Sequence, residues 1–428
     1  MRPNAWSWTN GARFNRRALV MVVWLALGWM FGAQNSADAQ SLTWLGTLGG
    51  SQSVASGVSD DGTVVAGYSR YDNYNRAFRW TQASGMQNLG TLPQFTYSEG
   101  YGISADGTKV IGTAFYVVPF GGSRRSFLWV SGSGMRDLGN LEGGFDSSAH
   151  AISANGSIVV GWGHTYGNDI HAYRWTQGTG MQDLGTLGGG ESRALGVSGN
   201  GSVVVGWSSN HLGEIWAFWW TAGNGMQLLY PLAACCGEAK GVSNNGLVIV
   251  GRSHSAQTEQ WHACLWGWDG ATFQPHDLGT LGGNESEALA CTNNQIAVGW
   301  SHIPSGQRRA FRWTPTGGME DLTAVYQSLL SAGSYLEAAR DLTPDGRYIV
   351  GQGYNAARGR TEAFLLDTQC TSHNGDVDNN GCVDDADLLA VLFAFGNTGQ
   401  LGRVDTNCDQ VVDDADLLQV LFNFGSGC

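Results

Sequence analysis

Apolar and polar positions change places in short bursts along most of this chain. One stretch shows the unit. "ALGVS" at 194–198 alternates residue by residue, a polar "GNG" follows, and "VVVG" at 203–206 and "AFWW" at 217–220 come next, before "GMQLL" at 225–229. Bursts of four to six residues with period two, rich in β-branched and aromatic side chains and separated by Asn-Gly or Asp-Gly, predict strands joined by hairpins. The predicted order is strand, hairpin, strand, loop, strand, turn, strand.

That unit recurs seven times, about every 46 or 47 residues. Its core reads "ASGVS" at 55–59, "GYGIS" at 100–104, "AHAIS" at 149–153, "ALGVS" at 194–198, "AKGVS" at 239–243, "ALACT" at 288–292 and "ARDLT" at 339–343. The first column is Ala or Gly in every copy and the last is Ser or Thr. The third is small except at Asp341. Columns one and three share a face, so the backbone there must lie against a close neighbour. The turns that follow ("DDG", "ADG", "ANG", "GNG", "NNQ", "NNG" and "PDG" among the copies) predict two-residue hairpins. A glycine column comes next, at Gly67, Gly112, Gly161, Gly206, Gly251, Gly299 and Gly351, and marks close backbone approach or a bulge.

Four strands per repeat is the pattern of a β-propeller blade. The seventh copy ends at Asp367 after three strands, while "LTWLGTLGG" at 42–50 precedes the first copy and supplies the missing fourth. The expected fold is therefore all-β: a seven-bladed propeller closed by an N-terminal strand, followed by a small α-helical tail. An open β-solenoid is the alternative, but it has no use for the missing strand at the other terminus. The hexapeptide "LGTLGG", spelled out at 45–50, 184–189 and 278–283, reads as an outer strand running into the next blade. Trp80, Trp129, Trp175, Trp220, Trp266 and Trp313 read as wedges between blades.

Composition agrees, with 64 Gly and 18 Trp against only 14% charged residues. The first 39 residues have another character. Arg13, Arg16 and Arg17 precede an apolar run from Ala18 to Ala33, and Ala37-Asp38-Ala39 offers a small-residue cleavage site. This is expected to be a signal peptide cleaved near Ala39, leaving a secreted or cell-surface chain with no transmembrane segment. The other reading of the run is a membrane anchor. Removing four Arg and one Asp leaves 19 basic against 35 acidic residues, a net charge of −16. Such a balance excludes nucleic acid as the expected partner, and export permits disulfides. The expected division is 1–39 leader, 40–369 propeller and 370–428 tail.

The repeated "AFRWT…GM.DLGTLGG" resembles the HAF-repeat extracellular proteins over most of residues 42–367. That resemblance implies export and repeats without a settled activity.

From 370 onward ten acidic residues face one Arg403, and "VDDADLLAVLFAFG" at 383–396 returns as "VDDADLLQVLFNFG" at 412–425. With Asp376 at loop position one, Asp378, Asn380, Cys382, Asp384 and Asp387 fall at positions three, five, seven, nine and twelve. Asp405, Asn407, Asp409, Val411, Asp413 and Asp416 repeat the spacing. This is EF-hand spacing: hard oxygen ligands, with the Cys382 and Val411 carbonyls at position seven, for two Ca²⁺ ions. Gly381 supplies the sharp turn at position six, where the second loop has Gln410. The pair of units resembles a type I dockerin over about 374–425, with Leu388, Leu389, Val391, Leu392 and Phe393 as the apolar side of its first helix. The resemblance implies docking onto a cohesin-like partner, chosen in part by positions ten and eleven: Asp385 and Ala386 in one half, Asp414 and Ala415 in the other. Cys370, Cys382, Cys408 and Cys428 are expected to form two bridges within the tail.

No HExxH, GxSxG, P-loop or metal-type CxxC pair occurs. His150 and His171 read as packing residues. Cys235-Cys236 is an adjacent pair in an inter-blade loop, open to a vicinal disulfide, a redox switch or ordinary free thiols. Glu99, Arg193, Glu238 and Glu287 share the column before the invariant small residue, so they form a candidate ligand rim around the axis, or else a merely solvated one. The expected function is a non-catalytic recognition or scaffold protein, with a carbohydrate among its candidate ligands. The alternative is an extracellular carbohydrate-active hydrolase or lyase, which would need paired carboxyls in the central pocket.

Overall fold

The computed structural model describes residues 40–118, 121–368, 374–378, 382–397, 402–407 and 411–428. The expected leader lies outside them, as do Cys370, Asn380, Gly381, Cys408, Asp409 and Gln410.

Six repeats each form one four-stranded antiparallel sheet with its strands in chain order, the seventh contributes three strands to a sheet completed by an N-terminal one, and the seven sheets make a seven-bladed β-propeller. The first blade contains Ser53–Val58, Val64–Tyr71, Tyr74–Thr81 and Gly85–Asn88. The seventh contains Tyr335–Leu342, Tyr348–Asn355 and Arg360–Asp367, and its outermost strand is Ser41–Trp44, paired antiparallel to the last of these from Ser41 opposite Asp367 to Trp44 opposite Phe364.

The repeat columns now have physical reasons. The Ser/Thr column closes the hairpin from within. The Ser59 hydroxyl accepts the Val64 N–H at 3.0 Å and donates to Asp61 at 2.6 Å, while Asp61 also takes the Thr63 N–H at 3.0 Å. Ser104, Ser153, Ser198, Ser243, Thr292 and Thr343 act likewise. These connections are longer than the expected two residues. The Ser59 N–H bonds the Val64 carbonyl, leaving four residues between, because the side chains replace the backbone pairs a tighter turn would use.

The glycine column faces the inner strand where its register slips by one residue, between Ala239 and Gly241 in the fifth blade and at the matching place in every other. A Cβ on any of the seven glycines would overlap the carbonyl oxygen of the facing strand. The small first column is fully buried at this crossing.

The core lies between blades. Trp220 packs against Ile158, Val160, Ala172 and Leu184 of the preceding blade, and Trp313 against Val248, Val250, Ala263 and Leu265. Trp266 is fully enclosed, its indole N–H given to the Tyr230 carbonyl at 2.7 Å.

The hexapeptide corrects one expectation. The outer strands are the preceding segments Ser41–Trp44 and Gly180–Asp183, and "LGTLGG" is the connection to the next blade; only in the third copy does the outer strand, Phe273–Gly279, run into its first two residues. Its first Leu still bonds the neighbouring strand (Leu184 N–H to the Ala172 carbonyl) and is buried. The next residue, Gly185, turns the chain off the sheet at φ 73°.

In the tail, helices Asp385–Ala394 and Asp414–Phe422 each open on a capping box, Asp384 with Asp387 and Asp413 with Asp416. The chain after each helix pairs with the loop of the other unit: Val383 with Gly425 and Ser426, and Val412 with Gly396 and Asn397. Val377, Val383, Val391, Val412 and Val420 form the small core, and Cys382 is bridged to Cys428.

Candidate functional site

The register slip in each inner strand leaves one residue unpaired at the same level of all seven blades. These residues are Ser56, Tyr101, His150, Leu195, Lys240, Leu289 and Arg340, and all line one axial cavity of about 440 Å³. A bulge re-aims a side chain without ending the strand, which is how a barrel-like ring of backbone acquires a lined channel. These positions stand two residues after the candidate rim column of Glu99, Arg193, Glu238 and Glu287, with the invariant small residue between. The available signal was the chemical variety of this second column between two columns kept small.

Three clusters define the chemistry at the mouth. Tyr101 and His150 stack with their rings parallel, 5.2 Å apart. The His150 Nε2 accepts the Trp162 indole N–H at 3.1 Å, which places its own proton on Nδ1. Burial, then the charges of Arg193 and Lys240, push His150 down to about 4, so it is a neutral ring at physiological pH. Glu99 is held by Tyr101 Oη at 2.5 Å and by Asn75 Nδ2 at 2.6 Å. Glu238 and Glu287 share two cations: Lys240 at 2.6 and 3.2 Å, and Arg252 at 2.6 and 3.4 Å. Burial alone would raise Glu238, but Lys240 and Arg252 outweigh it and hold the carboxyl below its ordinary range. Arg193 is turned toward Glu191 at 2.6 Å and lies over the faces of Trp162 and Trp207. Of the four predicted rim residues, Glu238 and Glu287 share their cations directly, while Glu99 and Arg193 stand at the two ends of the Tyr101–His150–Trp162 group. His171 lies apart from the cavity, hydrogen-bonded to Asp183 at 2.8 Å.

Asp341, the exception in the small third column, sits where the seventh blade meets the first. One carboxylate oxygen accepts the Val58 N–H and the other the Leu342 N–H, both at 3.0 Å. Burial pushes its carboxyl from 3.8 up to about 7, with the charge of Asp60 adding to the effect. The native state therefore holds this proton to higher pH than the unfolded chain does. The stability from this group is fully present below about pH 4 and is lost as pH rises toward 7. Asp341→Asn is expected to remove that slope, read as the difference between the two proteins' denaturant midpoints from pH 4 to 8. Parallel curves would refute it.

The tail loops bring carboxylates together as their spacing required. Asp376, Asp378 and Asp387 each place an oxygen within 4.8 Å of the others. The Asp387 carboxylate is buried and accepts the N–H groups of Val377 at 2.6 Å, Asp378 at 3.1 Å and Asp384 at 2.9 Å. Asp416 repeats this with Thr406, Asn407 and Asp413. Crowded hard oxygens are a donor set that fits Ca²⁺, with Cys382 and Asp384 at positions seven and nine of the first loop. In the second loop Asp405, Asn407, Val411, Asp413 and Asp416 hold the corresponding positions in the sequence.

The apolar side of the tail helices is divided between core and surface. Val391 is buried, but Leu389, Leu392 and Phe393 face outward, Phe393 with 86% of its surface exposed. Leu418, Leu421 and Phe422 match them in the second half, Phe422 at 83%. Ala386, Leu389 and Phe393 share one helical face, as do Ala415, Leu418 and Phe422, so the predicted partner residues border an apolar surface present twice. Asp385 and Asp414 are exposed beside it.

No family model and no curated protein matches this chain. Among solved structures it is similar to TolB from Acinetobacter baumannii (16% identity, TM-score 0.39, covering 52% of this chain and 53% of that one). It is also similar to the β-propeller domain of the Trilobed protease from Pyrococcus furiosus (11%, 0.44, 77% and 95%) and to an oligogalacturonate lyase in complex with manganese (13%, 0.37, 72% and 75%). The chain spans about half the length of that TolB. Among the described residues no helix is long and apolar enough to cross a membrane.

Proposed function

We propose that this is an exported, non-catalytic recognition protein of HAF-repeat type, whose propeller presents a ligand channel and whose dockerin-like tail, loaded with two Ca²⁺ ions, attaches it to a cohesin-like surface protein. The observation that carries the reading is the apolar face repeated on the two tail helices. A folded domain that leaves Phe393 and Phe422 more than four-fifths exposed has surface to cover, and a protein partner covers it at the least cost to solubility. The duplication lets one partner surface engage either half. A polar, sugar-like ligand suits the channel, where Tyr101 and His150 offer a flat aromatic platform beside hydrogen-bonding groups. Binding is favoured over hydrolysis or lysis because Glu238 and Glu287 are neutralised by Lys240 and Arg252. A carboxylate locked between two cations is a poor general acid or base.

The test uses the full chain, immobilised in Ca²⁺ and exposed to the secreted and surface proteins of its source. A defined partner is expected to be retained, released by chelator, and lost when Phe393 and Phe422 are both changed to Asp. Retention that ignores chelator and the double substitution would overturn the reading. Ca²⁺-dependent self-association by sedimentation would instead assign the face to a second copy.

A further inference from the structure

The connection between the fourth and fifth blades breaks the pattern of its siblings. Others read "LGGGES" at 187–192 and "LGGNES" at 281–286, and this one reads "LAACCG" at 232–237. Its backbone role is unaltered. The Cys236 carbonyl accepts the His254 N–H at 3.2 Å, as that of Glu191 accepts Ser209 and that of Glu285 accepts His302. What differs is the conformation and the chemistry. Cys236 is left-handed at φ 71°, whereas Glu191 and Glu285 are not among the positive-φ residues. A side chain held in that region costs free energy, and such strain persists where the surroundings fix it for a purpose.

The strained residue is one corner of a cluster. The Sγ atoms of Cys235 and Cys236 and a ring nitrogen of His254 all lie within 4.8 Å of one another, and the two sulfurs are side by side. All three residues are half-buried, reachable from solvent but shielded. The His254 ring is braced edge-on by Trp261, centroids 4.3 Å apart, and Arg252 lies over that indole. The imidazole is therefore presented to the thiols by a packed neighbour.

Two thiols and an imidazole are soft to borderline donors. They discriminate against the hard Ca²⁺ expected in the tail and suit a d¹⁰ ion that takes nitrogen and sulfur together. We propose that Cys235, Cys236 and His254 form a second, chemically distinct metal site on the propeller, binding Zn²⁺ through three protein ligands and leaving a fourth position open to solvent. Binding balances as one Zn²⁺ taken up and two thiol protons released to the buffer, the imidazole binding as the neutral base.

The experiment uses the full chain, reduced, stripped of metal and held in excess Ca²⁺ so that the tail carboxylates are occupied. Co²⁺ is titrated as a spectroscopic stand-in for Zn²⁺. A thiolate-to-Co²⁺ charge-transfer band is expected to saturate at one equivalent and to vanish on adding Zn²⁺. It should be absent in Cys235→Ser/Cys236→Ser, in which Cys264, Cys291 and the reduced tail cysteines Cys382 and Cys428 stay in place. His254→Asn, which needs no change of fold, should weaken binding on the order of tenfold or more. The proposal is overturned if no band forms, if His254→Asn binds as wild type, or if the reduced chain loses two thiols as a Cys235–Cys236 disulfide and takes up no metal.

Discussion

Gly251→Ala should cost the propeller about 3 kcal/mol, the upper end of what overpacking a tight site costs. The added methyl would overlap the Glu238 carbonyl oxygen and come within 2.9 Å of the Ala239 Cα, and both are backbone. No flexible side chain is there to move aside. The inner strand must shift instead, and with it Glu238, whose 2.6 Å bonds to Lys240 and Arg252 hold the channel mouth together. Gly223→Ala is the matched control, since that site is open and its φ is not left-handed. Denaturant midpoints for the two variants decide the matter. A loss below about 1 kcal/mol for Gly251→Ala would show that the register slip has room to spare. The same argument applies to Gly206 and the other members of the column.

Asp387→Ala should unfold the first half of the tail and leave the propeller intact. One buried carboxylate satisfies the N–H groups of Val377, Asp378 and Asp384, and each N–H left unpaired costs about 1 kcal/mol or more. The tail core consists of five buried valines with a few partners, so it has little stability to lose. Amide exchange should lose protection over 382–397 while the blades keep theirs. If the tail binds two Ca²⁺ ions, calorimetry should count one fewer in the variant. Preserved protection would mean that the Cys382–Cys428 bridge and the helix packing suffice without the carboxylate.

The repeats were legible because each copy solves the same local problem. A serine that caps its own hairpin and a glycine that must touch a carbonyl leave the same letter in every blade, whatever the ligand. The tail loops were legible for the same reason, since carboxylates at fixed spacing must converge once the chain turns. The apolar side of the first tail helix was legible as apolar, but not which of its members are covered: Val391 joins Val420 in the tail core, while Leu389, Leu392 and Phe393 are exposed.

The channel was harder still. Strict alternation gives the faces of a regular strand, but a one-residue slip moves a side chain to a face the pattern does not predict. Tyr101, His150, Lys240 and Arg340 reach the axis through such slips. Likewise, nothing along the chain says that His254 lies beside Cys235 and Cys236, 18 residues or more away, because they meet through pairing of neighbouring strands. Short-range chemistry, repeated, is written in the amino acids: blade count, turn caps and loop spacing. Which unlike side chains meet across strands and blades depends on register and packing, and those arise from contacts between segments far apart in the chain.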